Sequence, residues 1–401
     1  MEEKVLMLEG LKVLDFSKHV AGPAIGGMLA EHGASVIHIE KPGTGDDSRY
    51  YSPACEGYGS YYIWLNRGKK SVTMDLKDPE MQRVVRELIA ETDIIVESFR
   101  PGVMKRLGLD YESVRAIKPD IIYASVSAFG QTGPYADRPG YDVIAQAASG
   151  LMNATGDPDG PPSKLGMNMG DTVSALNGFG SICLALYHRA MTGRGQHVDI
   201  SLARSLMWHN MMVVKTLAGT PRMRSGNHDA MLCPYGIFEG NGGRHIVIGC
   251  ADNGVWHRLC SVMKRGELAE DPRFATNLLR VEHREETIGI VEDWLRSMPS
   301  MEEAERALLD AAVPCSRVYG DEDILSDPHI LGQDWFGEIP LPEGAAHEHH
   351  PVGAHGITTF SGGRLRNDPA PDLGADNREI LGGHGISEAV LEEMERLNRR
   401  D

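Results

Sequence analysis

Short apolar runs alternate with amphipathic segments over the first 200 residues, and that rhythm restricts the fold more than any other feature of the chain. Residues 12–16 (KVLDF) read as a strand and 22–32 (GPAIGGMLAEH) as a helix, with Pro23 suited to its first turn. Gly33 stops the helix, and 35–39 (SVIHI) read as the next strand. Two strands joined in this way through a helix lie parallel in one sheet. The alternation continues with a strand at 71–76 and a helix from 78 to 91 whose apolar stripe is Met81, Val84, Val85, Leu88 and Ile89. Strands at 93–97 (DIIVE) and 120–125 (DIIYAS) are continuous apolar runs, as strands covered on both faces are. A helix over 171–191 and a strand at 197–200 complete the series. The fold class is therefore α/β: a doubly wound, mostly parallel sheet in a Rossmann-like large domain.

Residues 218–232 (AGTPRMRSGNHDAML) break the rhythm and read as a linker. Strands near 236–238 and 245–248 follow, then helices over 253–264, 285–297 and 301–312. This predicts a smaller α+β domain over 218–325, after a first part of the large domain at 1–217. From 326 the chain turns irregular and rich in Pro, Gly and His, and it ends in an amphipathic helix over 387–398. The segment 326–401 is expected to return to the large domain.

Composition and missing motifs exclude several classes. With 40 Lys and Arg against 57 Asp and Glu, the formal net charge is −17, which lacks the basic footprint of a nucleic-acid binder. No apolar run reaches the ~18 residues of a membrane span, and the start of the chain lacks a secretory pattern. The six cysteines are scattered without a CxxC pair, which suits a reducing cytoplasm better than a disulfide framework or a zinc site. There is no GxGxxG after the first strand, no GxxxxGK[ST] and no GxSxG, so dehydrogenase, P-loop and hydrolase readings lose their motif support. His347, His349, His350 and His355 sit in a Pro/Gly-rich stretch without cysteine partners and read as an exposed run; no metal is expected.

Three groups of residues carry chemistry. Lys41, Arg49, Arg67, Lys69, Lys70, Arg100, Lys105 and Arg106 concentrate charge near strand ends, where an open parallel sheet meets its ligands. They fit a phosphate-bearing ligand, or a set of solvated loop charges. Asp171 follows the glycine-punctuated stretch 150–170 and opens a helix. It reads either as a plain N-cap or as a carboxylate held ionised by the helix N-terminus, able to act as a covalent nucleophile. Tyr141 in RPGYD (138–142), with Gln146, reads as a partly buried aromatic at a helix start.

Taken together, these pieces resemble the family III CoA-transferases. The likeness runs through 8–23, 33–46 (GASVIHIEKPGTGD), 66–76 (NRGKKSVTMDL), 96–109 (VESFRPGVMKRLGL), 127–150, Gly170–Asp171, 192–202, 313–319 (VPCSRVY) and 326–329. The resemblance places the family's catalytic aspartate on Asp171. It places CoA contacts on His19, Val20, Lys41, Leu65, Lys69, Ser98, Phe99, Arg106 and Leu107, with Arg138 and Tyr141 on the substrate side. It implies a CoA-transferase that takes an acyl-CoA donor and a small carboxylic acid acceptor through aspartyl anhydride and aspartyl-CoA intermediates. Coenzyme A is then a substrate, with no tightly bound cofactor, and two chains interlock as a homodimer. Relatives that racemise acyl-CoA carry a histidine where this chain has Tyr141, which disfavours that activity. Some relatives also close a glycine-only loop over their intermediates, and the stretch 223–236 here has a different composition. A racemase or isomerase of the same family and a non-catalytic CoA-binding protein are the alternatives.

Overall fold

The alternating runs become six parallel strands in the computed structural model, which describes residues 5–55, 57–210, 219, 224–342, 351–354, 356 and 363–399. These strands are β1 (Lys12–Asp15), β2 (Ser35–Glu40), β3 (Lys70–Thr73), β4 (Ile94–Glu97), β5 (Ile122–Ser127) and β6 (Gln196–Ser201). Their spatial order is β3-β2-β1-β4-β5-β6, every neighbouring pair parallel. The order reverses beside β1, and the crevice outside the carboxyl ends there is where such sheets bind ligands. The chain divides into two compact units: Met1–Ser149, Gly166–Asn210 and His329–Asp401 form one, and Gly150–Leu165 with Met211–Pro328 the other. The segment expected as 1–217 is thus interrupted, because 150–165 clusters with the second unit.

In the first unit, α1 (Ala21–Glu31) lies close over the sheet because its face is built of small residues. A Cβ on Gly26 would stand 2.4 Å from Asp15 Oδ2. Helix α2 (Ser60–Leu65) follows. Helix α3 (Pro79–Ala90) starts on Asp78, whose carboxylate accepts from the N–H groups of Glu80 and Met81, and it buries the stripe that the sequence predicts. The strand expected at 71–76 stops at Thr73, because Asp75 organises a turn: its side chain takes the Lys77 N–H and its carbonyl the Asp78 N–H. Short helices α4 (Val103–Arg106) and α5 (Tyr111–Ile117) follow β4, and α6 (Asp142–Ala148) follows β5. The long α7 (Met169–Thr192) and α8 (Leu202–His209) flank β6.

The second unit has a three-stranded antiparallel sheet of β7 (Tyr235–Glu239), β8 (His245–Gly249) and β9 (Cys315–Arg317), with β8 central. It is covered by α9 (Asn253–Val262), α10 (Arg284–Ser297) and α11 (Met301–Asp310). The expected helices over 253–264 and 301–312 end early at left-handed residues, Lys264 (φ 57°) and Ala312 (φ 55°). The core is Phe238, Ile246, Ile248, Trp256, Phe274, Val291 and Leu295 around a fully buried Arg280, whose guanidinium donates to Cys233 O, Phe274 O and Asn253 Oδ1. Of the linker expected at 218–232, the part before 224 lies outside the described residues except for Gly219.

The tail completes the first unit through α12 (Asn377–Gly383) and α13 (Glu388–Asn398), whose Ile380, Leu381, Leu391 and Met394 join its core. Strand β3 is one of the sheet's two outer strands, and side chains of this tail satisfy backbone groups on its free edge. Ser71 N–H donates to Asp376 Oδ2 (2.8 Å) and Thr73 N–H to Asn377 Oδ1 (2.9 Å). Asn398 donates to Thr73 Oγ1 and accepts from Gly43 N–H, both at 3.0 Å.

Candidate active site

Asp171 stands in the first turn of α7, two residues after Met169 opens it. The start of the helix is fixed from α6: Gly170 N–H donates to Asp142 Oδ1 at 2.6 Å, and Gln146 Nε2 donates to Asp142 Oδ2 at 2.7 Å. Only glycine fits at 170, since a Cβ there would stand 2.9 Å from Asp142 Oδ1. Burial, and then the charge of Asp142, push the Asp171 carboxyl up to about 7. A helix N-terminus by itself favours the ionised form; burial and a neighbouring acid act the other way.

His19 follows β1 in the left-handed region (φ 72°), a costly conformation for a residue with a side chain. Its N–H donates to the Asp46 carboxylate, and its Nδ1 lies 2.7 Å from the Tyr51 hydroxyl. Its ring stacks on Tyr51 (centroids 6.3 Å apart) and meets the edge of Tyr141 (5.9 Å). Burial and then Lys18 lower its pKa, so the imidazole is neutral at pH 7. Burial chiefly raises the Tyr51 pKa, and the charge of Asp171 adds to this, so the ring cluster and the carboxylate share one neighbourhood.

A groove of about 1160 Å³ lies at the strand-order reversal and reaches Lys18 and Asp47, beside His19. Phe16, Met74, Phe99 and Leu107 give it apolar walls, and Lys18, Lys41, Lys77 and Arg106 give it cations. Polyphosphate and an apolar-faced base have matching surfaces here. Beneath it lies a buried charged network. Asp15, His38, Glu40, Asp46 and Arg49 are each less than a tenth exposed. Arg49 forks onto Glu40 (2.6 and 2.8 Å). Burial would lower the His38 pKa, but Asp15 and Asp46 overcome it and push it up to about 9. Burial likewise opposes Asp15 ionisation, and Lys69 and His38 reverse this, holding its carboxyl well below the usual range.

The residues expected from the sequence divide accordingly. Lys41, Phe99, Arg106 and Leu107 line the groove, and Ser98 accepts from Lys18 N–H at its edge (2.9 Å). His19 and Tyr141 stand with Asp171's neighbour Tyr51, and Val20 is the buried N-cap of α1. Lys69 requires correction as a phosphate ligand. Its Nζ donates to Asp15 Oδ2, Pro23 O and Asn66 Oδ1, each at 2.8 Å, so all three N–H groups are taken and the side chain has no exposure. Leu65 lines a separate apolar pocket rather than the groove, and Arg138 lies 3.5 Å over the Tyr135 ring. Tyr51, Asp142, Lys18 and Lys77 were not singled out; Asp142 directly follows Tyr141 in RPGYD, and that adjacency was the available signal. The histidines 347, 349, 350 and 355 lie outside the described residues. No described helix is long and apolar enough to cross a membrane.

Residues 8–377 match the family model described as CoA-transferase family III. The chain belongs to that family. This family III enzyme is a CoA-transferase, and it is 34% identical to the succinate–glutarate CoA-transferase of Agrobacterium fabrum over 97% of this chain and 96% of the other. It is also 34% identical to the succinyl-CoA–D-citramalate CoA-transferase of Chloroflexus aurantiacus over 93% of each. Among solved structures, a CAIB/BAIF family protein from Brucella suis superposes with a TM-score of 0.82 at 33% identity, over 95% of this chain and all of that one. The family III match thus spans both units of the fold.

Proposed function

We propose that this CoA-transferase works through covalent intermediates on Asp171 and exchanges CoA between short dicarboxylic acids. The observation that carries the reading is the half-buried Asp171 carboxylate at the start of α7, whose charge is felt by Tyr51 of the His19–Tyr51–Tyr141 cluster. The Asp171 carboxylate attacks the thioester carbonyl, the C–S bond breaks, and an aspartyl anhydride and CoA thiolate result. The thiolate attacks the aspartyl carbonyl, releasing the donor acid and leaving aspartyl-CoA. An acceptor carboxylate displaces the thiolate, and the thiolate then takes the acyl group from the new anhydride and frees Asp171. One thioester is exchanged for another, so the sequence balances without a further reagent. Backbone N–H groups at the helix start can stabilise the oxyanions, and the anhydrides require that water be excluded. Mass spectrometry of the Asp171 peptide, trapped with hydroxylamine after adding succinyl-CoA, tests the scheme. An unmodified peptide under turnover would overturn it.

The raised Asp171 pKa sets a pH dependence. The nucleophile is the ionised form, so kcat/KM for the acyl-CoA is expected to rise with pH through a limb near 7. Asp142→Asn removes the neighbouring charge but keeps an acceptor for Gly170, and it should move the limb to lower pH. Initial rates across the limb measure both; the same limb in the variant would refute the assignment.

An apolar pocket of about 170 Å³ supports the dicarboxylate part. It is lined by Thr172, Ala175 and Leu176 of α7 with Gly27, Met28 and Glu31 of α1, and Thr172 directly follows Asp171 in the chain. Arg67 borders it with a buried Nη1 that has no partner, Glu31 being 3.5 Å from the other nitrogen. A short carbon chain fits such a pocket, with its far carboxylate on the guanidinium. Arg67→Met is expected to raise KM for succinate at least ~10-fold, the value of one charge-assisted hydrogen bond, and to leave KM for acetate unchanged. Equal effects on both acids would refute it. We further propose a homodimer. Leu184, Tyr187 and Met191 on α7 and Trp208 on α8 are each about two-thirds exposed or more, an apolar face of the kind a second copy covers.

A further inference from the structure

A second cavity, of about 240 Å³, lies against one face of β4, β5 and β6, where Glu97, Tyr123, Ser125 and His197 line it. Its floor follows from strand register. Glu97, Ser125 and Asp199 stand side by side on the three strands, and Tyr123 and His197 lie two residues earlier on the same face. Ser125 Oγ lies 3.0 Å from His197 Nε2, and the His197 ring stacks on Tyr111 with centroids 5.0 Å apart.

Each acid around this cavity already has a partner. Asp110 accepts from Ser113, Glu112 faces Arg115 at 3.7 Å, and Asp199 takes the Gln131 backbone N–H at 3.0 Å. Glu97 accepts from Phe99 N–H, and burial pushes its carboxyl up to about 7 despite a hydrogen bond from Ser125. The donors are not satisfied. Gln131 Nε2 is buried without a partner, and Arg100 and Lys105 form no ion pair among the described residues. One buried donor without a partner, beside two exposed cations, makes this cavity fit a guest rich in acceptors.

We infer that this cavity binds a small oxyanion, a carboxylate or a phosphate, and that its occupancy weakens acyl-CoA binding. The link is the segment 99–107, one wall shared by two cavities. Phe99, Val103, Arg106 and Leu107 face the groove, while Arg100, Met104 and Lys105 face the second cavity. An anion on Arg100 and Lys105 cancels positive potential behind Arg106 and repels the phosphates of CoA, and by linkage CoA repels the anion equally. The inference takes the groove, with its cations and apolar walls, as the acyl-CoA site of the proposed transferase, and it needs no turnover.

The test is calorimetric titration of CoA into the full chain at constant ionic strength, with inorganic phosphate, acetate or succinate replacing chloride. The Kd of CoA should rise ~5-fold and saturate with the effective anion; comparing the three salts tells which source serves. Gln131→Leu should abolish the saturable rise while leaving the Kd in chloride unchanged, whereas Lys105→Gln, which removes part of the same potential, should raise the Kd in chloride itself and abolish the further rise with anion. A rise that persists in both variants would mean competition inside the groove, and no saturable rise with any anion would mean an idle cavity; either overturns the inference. Phosphorus-31 line broadening by inorganic phosphate, lost in Gln131→Leu, reads the cavity directly, so a failure of CoA to bind would count against the groove alone.

Discussion

Asp171→Ala is expected to lower CoA transfer at least ~1000-fold, as removal of a covalent nucleophile does, while the Kd for CoA stays within about twofold of wild type. The separation follows from geometry. Asp171 belongs to the first turn of α7, whereas the cations and apolar walls of the groove come from the loops after β1, β2, β3 and β4. Asp171→Asn should fall as far, because it keeps size and polarity but loses the attacking carboxylate. Neither variant should unfold the protein: a half-buried acid held near neutrality contributes little to the fold, and Asp142 keeps its bonds to Gly170 and Gln146. Steady-state transfer from succinyl-CoA, read beside calorimetric CoA binding, checks both halves. Near-wild-type transfer in either variant would remove Asp171 from the mechanism.

Lys69→Met is expected to act on the fold. It leaves Asp15 with no water and without its shortest ion pair, and breaking a buried pair in this way costs ~3–5 kcal/mol. Chemical denaturation should show that loss. The double substitution Lys69→Met with Asp15→Leu should recover part of it, because the stranded charge is gone. A phosphate ligand would behave differently, with unchanged stability and a raised KM for acyl-CoA. That second pattern would reverse the correction made for Lys69.

The comparison of Lys69 with Lys41 shows where sequence reading stops. Both are cations near strand ends, and both sit in motifs carried by the family resemblance. Lys41 follows β2 directly and faces the groove; Lys69 precedes β3 and turns inward beneath α1, where Asp15 waits. Chain position did not separate these cases, because the inward turn depends on Gly26 leaving room for Nζ. The sheet was legible because each buried strand is a local apolar run and each crossover a local stripe. Strand ends were less legible: Asp75 ended β3 early by forming its own turn. Tyr51 was invisible because its partners, His19 and the Asp171 neighbourhood, lie far away in sequence. The raised pKa of Asp171 was not legible for a related reason, since the helix terminus is local but Asp142 and burial are tertiary.

The way the tail closes β3 bears on how the chain comes off the ribosome. The backbone groups of Ser71 and Thr73 meet their partners only when residues 376 and 377 exist, about 300 residues later. Throughout most of synthesis the sheet therefore carries a bare edge, the kind of surface that recruits strands from other nascent chains. The edge of the large unit is closed only after residues 376 and 377 have been made and have reached the sheet. Loss of residues 376–398 would thus produce aggregation before it produced any deficit in catalysis.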